Sequence, residues 1–248
     1  MKNYVIKSLI KTAFYPLLFV GIIWLVYFID SSYNLNLIQF GTSPRTAKGL
    51  TGIFLSPFLH AGTDHLLNNS LPLLILGMIT FYFYKPIAWP VMIWIYFISG
   101  IWLWVGGRNN ASNDMYHIGA SGLIYGSAFF LFFSGVFRKH KPLMVISALV
   151  LFLYGSMMWG IFPLKQEISW EAHLFGAISG LLVAYNYRKE GPQRKEYEWE
   201  NEEEDDSDGN SEEFSEENVQ ENNQENITAI NYHFIPKPTD EPTQDKNI

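Results

Sequence analysis

A serine at position 121 lies in the run Gly119-Ala120-Ser121-Gly122-Leu123-Ile124-Tyr125-Gly126, at the start of an apolar stretch reaching Phe137. A serine hydroxyl becomes a useful nucleophile only when a neighbouring base takes its proton during attack. The strongly polar residues inside the apolar parts of the chain are few: His65, Asn68, Asn69, Ser121 and His173, with Glu171 at an edge. His173 is spaced three and seven residues before Gly176 and Gly180, which puts all three on one helical face. Gly122 and Gly126 form a matching pair beside Ser121. Small residues four apart let two helix backbones approach closely in lipid. If these two helices pack through their glycines, the Ser121 hydroxyl meets the His173 imidazole. No membrane-embedded aspartate is available to complete a triad, so the expectation is a dyad. Tyr125, one turn after Ser121, could hold the imidazole ring.

Acyl transfer also needs donors for the developing oxyanion. The Ser121 N–H, at a helix start, is one. His65 and Asn69 share a helical face at i, i+4 and could add two side-chain donors. His60, in the preceding connection, either supports that arrangement or is a surface loop histidine.

The elements that must position these groups are apolar blocks at 13–29, 65–84, 87–105, 119–137, 143–162 and 170–187. Most have the length that a helix needs to cross about 30 Å of hydrocarbon. They do not alternate in polarity as strands of a membrane barrel do. Tryptophan and tyrosine gather near block ends, as interface belts do. The expected architecture is all-α, a polytopic bundle with six crossings. No cleavage site follows the first block, so it reads as a retained anchor. The connection 30–64 mixes turn residues with Ile53-Phe54-Leu55, which predicts a loop lying partly in the membrane interface, with room for a short helix.

Lysine and arginine set the orientation. With the N-terminus inside, the inner segments hold Lys2, Lys7, Lys11, Lys85, Arg138, Lys139, Lys141, Arg188, Lys189, Arg194 and Lys195, and the outer ones hold only Arg45, Lys48, Arg108 and Lys165. Both termini are therefore expected in the cytoplasm. In that orientation His65, Ser121 and His173 all start their blocks on the outer side, at one depth.

The chain divides into a short N-terminal segment (1–12), a membrane domain (13–190) and an acidic tail (191–248). All but five of the 24 acidic residues (Asp30, Asp64, Asp114, Glu167 and Glu171) lie at or after Glu190, so the net charge of −7 describes the tail. Such a segment buries too little apolar surface to fold alone and is expected to be disordered. Ile227–Pro238 could dock a partner of unknown kind. The absence of cysteine excludes disulfides, thiolate catalysis and cysteine-ligated metal sites. The scattered basic residues leave no nucleic-acid footprint.

Three motifs in order resemble those of the rhomboid intramembrane serine proteases. Gly119-x-Ser121-Gly122 is similar to the nucleophile motif, His60-(x4)-His65-(x3)-Asn69 to the second-helix motif, and Ala172-His173-x-x-Gly176-x-x-x-Gly180 to the sixth-helix motif. The likeness covers about residues 10–190. It implies a six-helix rhomboid-like bundle with a Ser121/His173 dyad and an oxyanion hole from the Ser121 N–H, His65 and Asn69. Tyr125 would pack on the catalytic histidine. The implied partners are the bilayer and single transmembrane segments, cut near their outer ends in a bacterial inner membrane. No metal or cofactor is implied. One departure is the Trp-Arg pair of the first outer loop, for which Pro44-Arg45 is the nearest sequence. The alternatives are a non-catalytic rhomboid-like protein that binds transmembrane helices, and a transporter, which would spread polar groups along a pathway near the midplane.

Overall fold

The computed structural model describes residues 2–109, 115–153, 159–164 and 169–193. Apart from residues 191–193, the tail expected to be disordered lies outside the described residues, as does 154–158 of the fifth apolar block. Among the described residues the regular elements are all helical: α1 (Lys2–Tyr33), α2 (Leu50–Leu55), α3 (Thr63–Phe83), α4 (Ala88–Gly106), α5 (Ser121–Phe137), α6 (Lys141–Leu153) and α7 (Trp170–Asn186). Three are long and apolar enough to cross a membrane: Ile10–Tyr33 of α1 (24 residues), α3 (21 residues) and α4 (19 residues). α5 is apolar but shorter, at 17 residues.

α5 is the centre of the bundle and touches α3, α4, α6 and α7. Its composition requires this: Leu123, Ile124, Tyr125, Ala128, Phe130 and Leu131 point in several directions, and all are buried. A helix apolar all round must be surrounded. Its small residues face α7, and its bulky ones meet Leu66, Ile95, Leu143 and Val183 in one contiguous core. The outward faces carry Leu17, Leu25 and Phe28 on α1 and Ile93 and Ile101 on α4, all exposed. Lipid is the solvent that such surfaces suit.

α1 crosses α3 where the Pro16 ring meets Gly77. A Cβ there would lie 2.9 Å from Pro16 Cγ, so glycine permits the close approach. Nearby, Trp24 Nε1 donates to Ser70 Oγ at 3.0 Å. Hydrogen bonds of this kind tie helices together where lipid offers no competing partner.

The first connection is built rather than loose. It comprises a 3-10 turn (Leu37–Phe40), α2 and a second 3-10 turn (Ser56–Phe58). Phe54 and Leu50 are exposed while Ile53 is buried. Arg45 anchors it to the end of α4: its backbone N–H donates to the Trp104 carbonyl at 2.9 Å, and Nη1 donates to the carbonyls of Val105 at 3.0 Å and Gly107 at 2.8 Å. Trp104 Nε1 returns a bond to the Thr46 carbonyl at 2.9 Å. A tryptophan and this arginine thus meet through space, from separate segments. Arg45 also holds a left-handed backbone, φ 61°. Arg45→Ala loses charge-assisted bonds worth about 1–3 kcal/mol and keeps the strained backbone. Thermal unfolding in detergent is expected at a midpoint several degrees lower, while Arg45→Lys retains part of the difference.

Candidate active site

α5 and α7 run in the same direction with their glycines facing. A Cβ on Gly176 would overlap the Gly122 carbonyl oxygen and lie 3.0 Å from Gly122 Cα. A Cβ on Gly180 would overlap the Gly126 carbonyl oxygen and lie 2.9 Å from Phe130 N. The Ala172 carbonyl oxygen faces Gly122. This register puts Ser121, at the first position of α5, level with Ala172 and His173 in the first turn of α7.

The His173 ring lies flat on Tyr125, with centroids 4.2 Å apart and planes 11° from parallel. Its Nδ1 lies 2.8 Å from the Gly160 carbonyl oxygen. A carbonyl only accepts, so Nδ1 carries the proton and neutral His173 keeps its lone pair on Nε2. Residue 160 has to be glycine for this: a Cβ would stand 2.8 Å from Nδ1 and overlap the Tyr125 hydroxyl. Ser121 and His173 are both partly exposed. Among the described residues no hydrogen bond joins the Ser121 hydroxyl to the imidazole. Such bonds are often long without substrate and tighten in the complex.

Gly119 makes the turn into α5 with φ 102°, a conformation natural to glycine. Its missing side chain also makes room for His65: a Cβ would lie 2.6 Å from both Nε2 and Cε1 of that ring and 3.8 Å from Asn69 Nδ2. Asn69 is buried, and one N–H of its amide donates to the His65 carbonyl at 2.8 Å. Among the described residues the second amide N–H has no partner, which leaves it able to donate to a ligand. His65 and Asn69 therefore lie against the Gly119 turn that leads into Ser121.

His60 packs edge-on against His65, with centroids 4.9 Å apart. It is no surface histidine, being 4% exposed. Burial, and next the neighbouring His65, hold its pKa down at about 4. The sign follows from linkage: a histidine with a lowered folded pKa stabilises the fold fully above its unfolded pKa, and that contribution is lost as pH falls toward the folded one. The unfolding free energy is expected to be level above pH 6.5 and to fall between 6.5 and 4, with up to about 3 kcal/mol of that fall due to His60. His60→Phe, measured alongside in the same buffers, should flatten that fall.

Several site residues carried no legible signal in sequence. Thr42 and His117 form an isolated antiparallel bridge, with N–H···O distances of 3.0 and 2.8 Å. The Ser56 carbonyl accepts from the Gly119 N–H at 2.8 Å, and the Ser56 hydroxyl bonds Thr42 Oγ1 at 2.8 Å. The first connection thus clamps the turn before Ser121. Around His117, Arg108 and Glu171 form an ion pair through Nε and Oε1. Among the described residues no group of three or more metal-ligating side chains occurs.

The family model described as Rhomboid domain matches residues 47–190. The chain is also similar to an uncharacterized protein of Mycobacterium tuberculosis and one of Mycobacterium bovis. Each is 37% identical over 184 residues, covering 72% of this chain and 75% of the relative. An uncharacterized protein of Mycobacterium leprae is 36% identical over 184 residues, covering 72% of each chain.

Proposed function

This chain belongs to the rhomboid family, and from that premise we propose that it is an intramembrane serine endopeptidase working through a Ser121/His173 dyad. The observation that carries the reading is the seating of His173. Its ring is stacked on Tyr125, its Nδ1–H is held by the Gly160 carbonyl, and its helix is in register with the start of α5. A base fixed in that tautomer presents Nε2 to a hydroxyl.

The chemistry runs in two halves. Ser121 Oγ attacks the scissile carbonyl carbon, and its proton passes to His173 Nε2. The oxyanion is held by the Ser121 N–H, the free N–H of Asn69 and the His65 ring. The tetrahedral centre collapses, the C–N bond breaks, and His173 returns the proton to the leaving amine. A water, deprotonated by the same nitrogen, then attacks the acyl ester, and Ser121 leaves with the proton. The Gly160 carbonyl does the orienting work that a carboxylate does in a triad, without adding charge.

The membrane domain, 13–190, would cross the bilayer six times with both termini in the cytoplasm of a bacterial cell. Substrates would be single transmembrane segments that unwind near their outer ends. A non-catalytic helix binder has less support, because both members of the dyad are present and His173 is seated as a base. The test is co-expression with a panel of tagged single-span proteins: cleavage of at least one by the wild type, and none by Ser121→Ala, is expected. Equal processing by both would refute the reading.

A further inference from the structure

Glu171 stands two residues before His173 and is 2% exposed. A carboxylate that deeply buried is costly unless it is well paired. Here Oε1 accepts from Arg108 Nε and from the Arg108 backbone N–H, the latter at 3.2 Å, while Oε2 has no partner among the described residues. Half-satisfied pairs of this kind are poor sources of stability. The group needs another reason to be there, and its connections supply one.

The Arg108 carbonyl accepts from His117 Nε2 at 2.8 Å. That fixes the proton on Nε2, because burial depresses the His117 pKa and keeps the ring neutral. His117 Nδ1 is then an acceptor, and the Ser169 hydroxyl donates to it at 2.5 Å. Ser169 is the N-cap residue of α7, and its side chain makes no capping bond. Serine at that position ordinarily bonds a backbone N–H of its own helix. Here it is turned to the neighbouring segment instead. Departures from a local rule of this sort mark places where position matters more than stability.

The bonds close a ring. From Glu171 they run to Arg108, on to His117, then to Ser169, and two residues of chain lead back to Glu171. His117 lies four residues before Ser121, and Glu171 lies two before His173. The ring therefore ties the strand-like approach to the nucleophile directly to the first turn of the helix that carries the base. α5 and α7 also touch along their glycines, which sets their spacing and register, but that contact begins at Gly122 and Gly176 and leaves the first turn of α7 to be held from its other side. Resting on the protease reading above, we propose that Glu171, through Arg108 and the His117–Ser169 bond, is a positioning residue that sets the approach of His173 to Ser121.

The test uses the full chain in detergent and a transmembrane substrate it cleaves, with active sites counted by fluorophosphonate titration. Glu171→Ala should lower kcat per titrated site by on the order of tenfold to a hundredfold, as expected when reacting groups are misplaced by about 1 Å. KM should stay within about twofold, since chemistry rather than binding is disturbed. Glu171→Gln keeps an acceptor for Arg108 and should recover part of the rate, which also covers the case in which the alanine variant does not fold. The double variant Glu171→Ala/His117→Ala should lose little more than the worse single one, because groups acting as a unit are not additive. A lowered unfolding midpoint with wild-type kcat per titrated site in both Glu171 variants would overturn the proposal, leaving Glu171 a structural ion pair. Wild-type protein that takes no label and cuts nothing would instead remove the protease reading, and this inference with it.

Discussion

Ser121→Ala is expected to stop cleavage of a transmembrane substrate, with kcat reduced by on the order of 10⁴-fold or more, and His173→Ala is expected to do the same. The reason is shared. Without Oγ there is no acyl intermediate, and without Nε2 the hydroxyl keeps its proton and is a poor nucleophile. The double variant should be no worse than either single one, since each already removes the whole device. Neither change should disturb the fold. Both side chains are partly exposed at one end of the bundle, and the α5–α7 contact is carried by glycines, not by them. Purified Ser121→Ala should therefore keep a near-wild-type unfolding midpoint, and His173→Ala, which also loses the stack on Tyr125 and the bond to the Gly160 carbonyl, should stay folded with a somewhat lower one. Loss of activity accompanied by loss of folded protein would leave the chemistry unproved. A folded variant that still cleaves would exclude the dyad.

Gly176→Ala is expected to be nearly as damaging, by a different route. The new methyl would overlap the Gly122 carbonyl oxygen, which is backbone and cannot swing aside. The helices must separate by roughly 1 Å to restore van der Waals distance. Gly122 adjoins Ser121, and Gly176 lies one turn below His173, so the separation falls at the reacting groups. A displacement of that size costs on the order of a hundredfold in rate. Stability should fall as well, because overpacking a tight contact costs about 1–3 kcal/mol. Ala177→Gly, on the same helix but away from that contact, is the control: it should lower stability modestly and leave kcat close to wild type. Comparable kcat for Gly176→Ala and wild type would show that the close approach is not needed to assemble the site.

What could be read in the sequence was whatever recurs at helical spacing. Gly122/Gly126 and Gly176/Gly180 announce a backbone contact, and the structure has it. His65 with Asn69, and Ser121 with Tyr125, share faces because four residues nearly complete a turn. The expected block at 119–137 becomes a helix only from Ser121, since Gly119 takes a left-handed backbone that ends helical regularity before it begins. Contacts made by main-chain atoms left no trace. The Gly160 carbonyl that seats His173 could belong to any residue, and only the lack of room for a Cβ demands glycine. Long-range polar links were equally silent. Arg45 with Trp104, and Glu171 with Arg108, join residues about sixty positions apart, and nothing local in either segment names its partner. His60 was ambiguous because a buried and a surface histidine look alike in a loop. Burial, a property of the whole fold, decides between them.

The most direct measurement is the site of covalent labelling by a fluorophosphonate, mapped by peptide mass spectrometry on the full chain in lipid. A Ser121/His173 dyad predicts one adduct, on Ser121, absent from Ser121→Ala and strongly slowed in His173→Ala. An adduct on another serine, or Ser121 labelled at the same rate with and without the His173 imidazole, would contradict it.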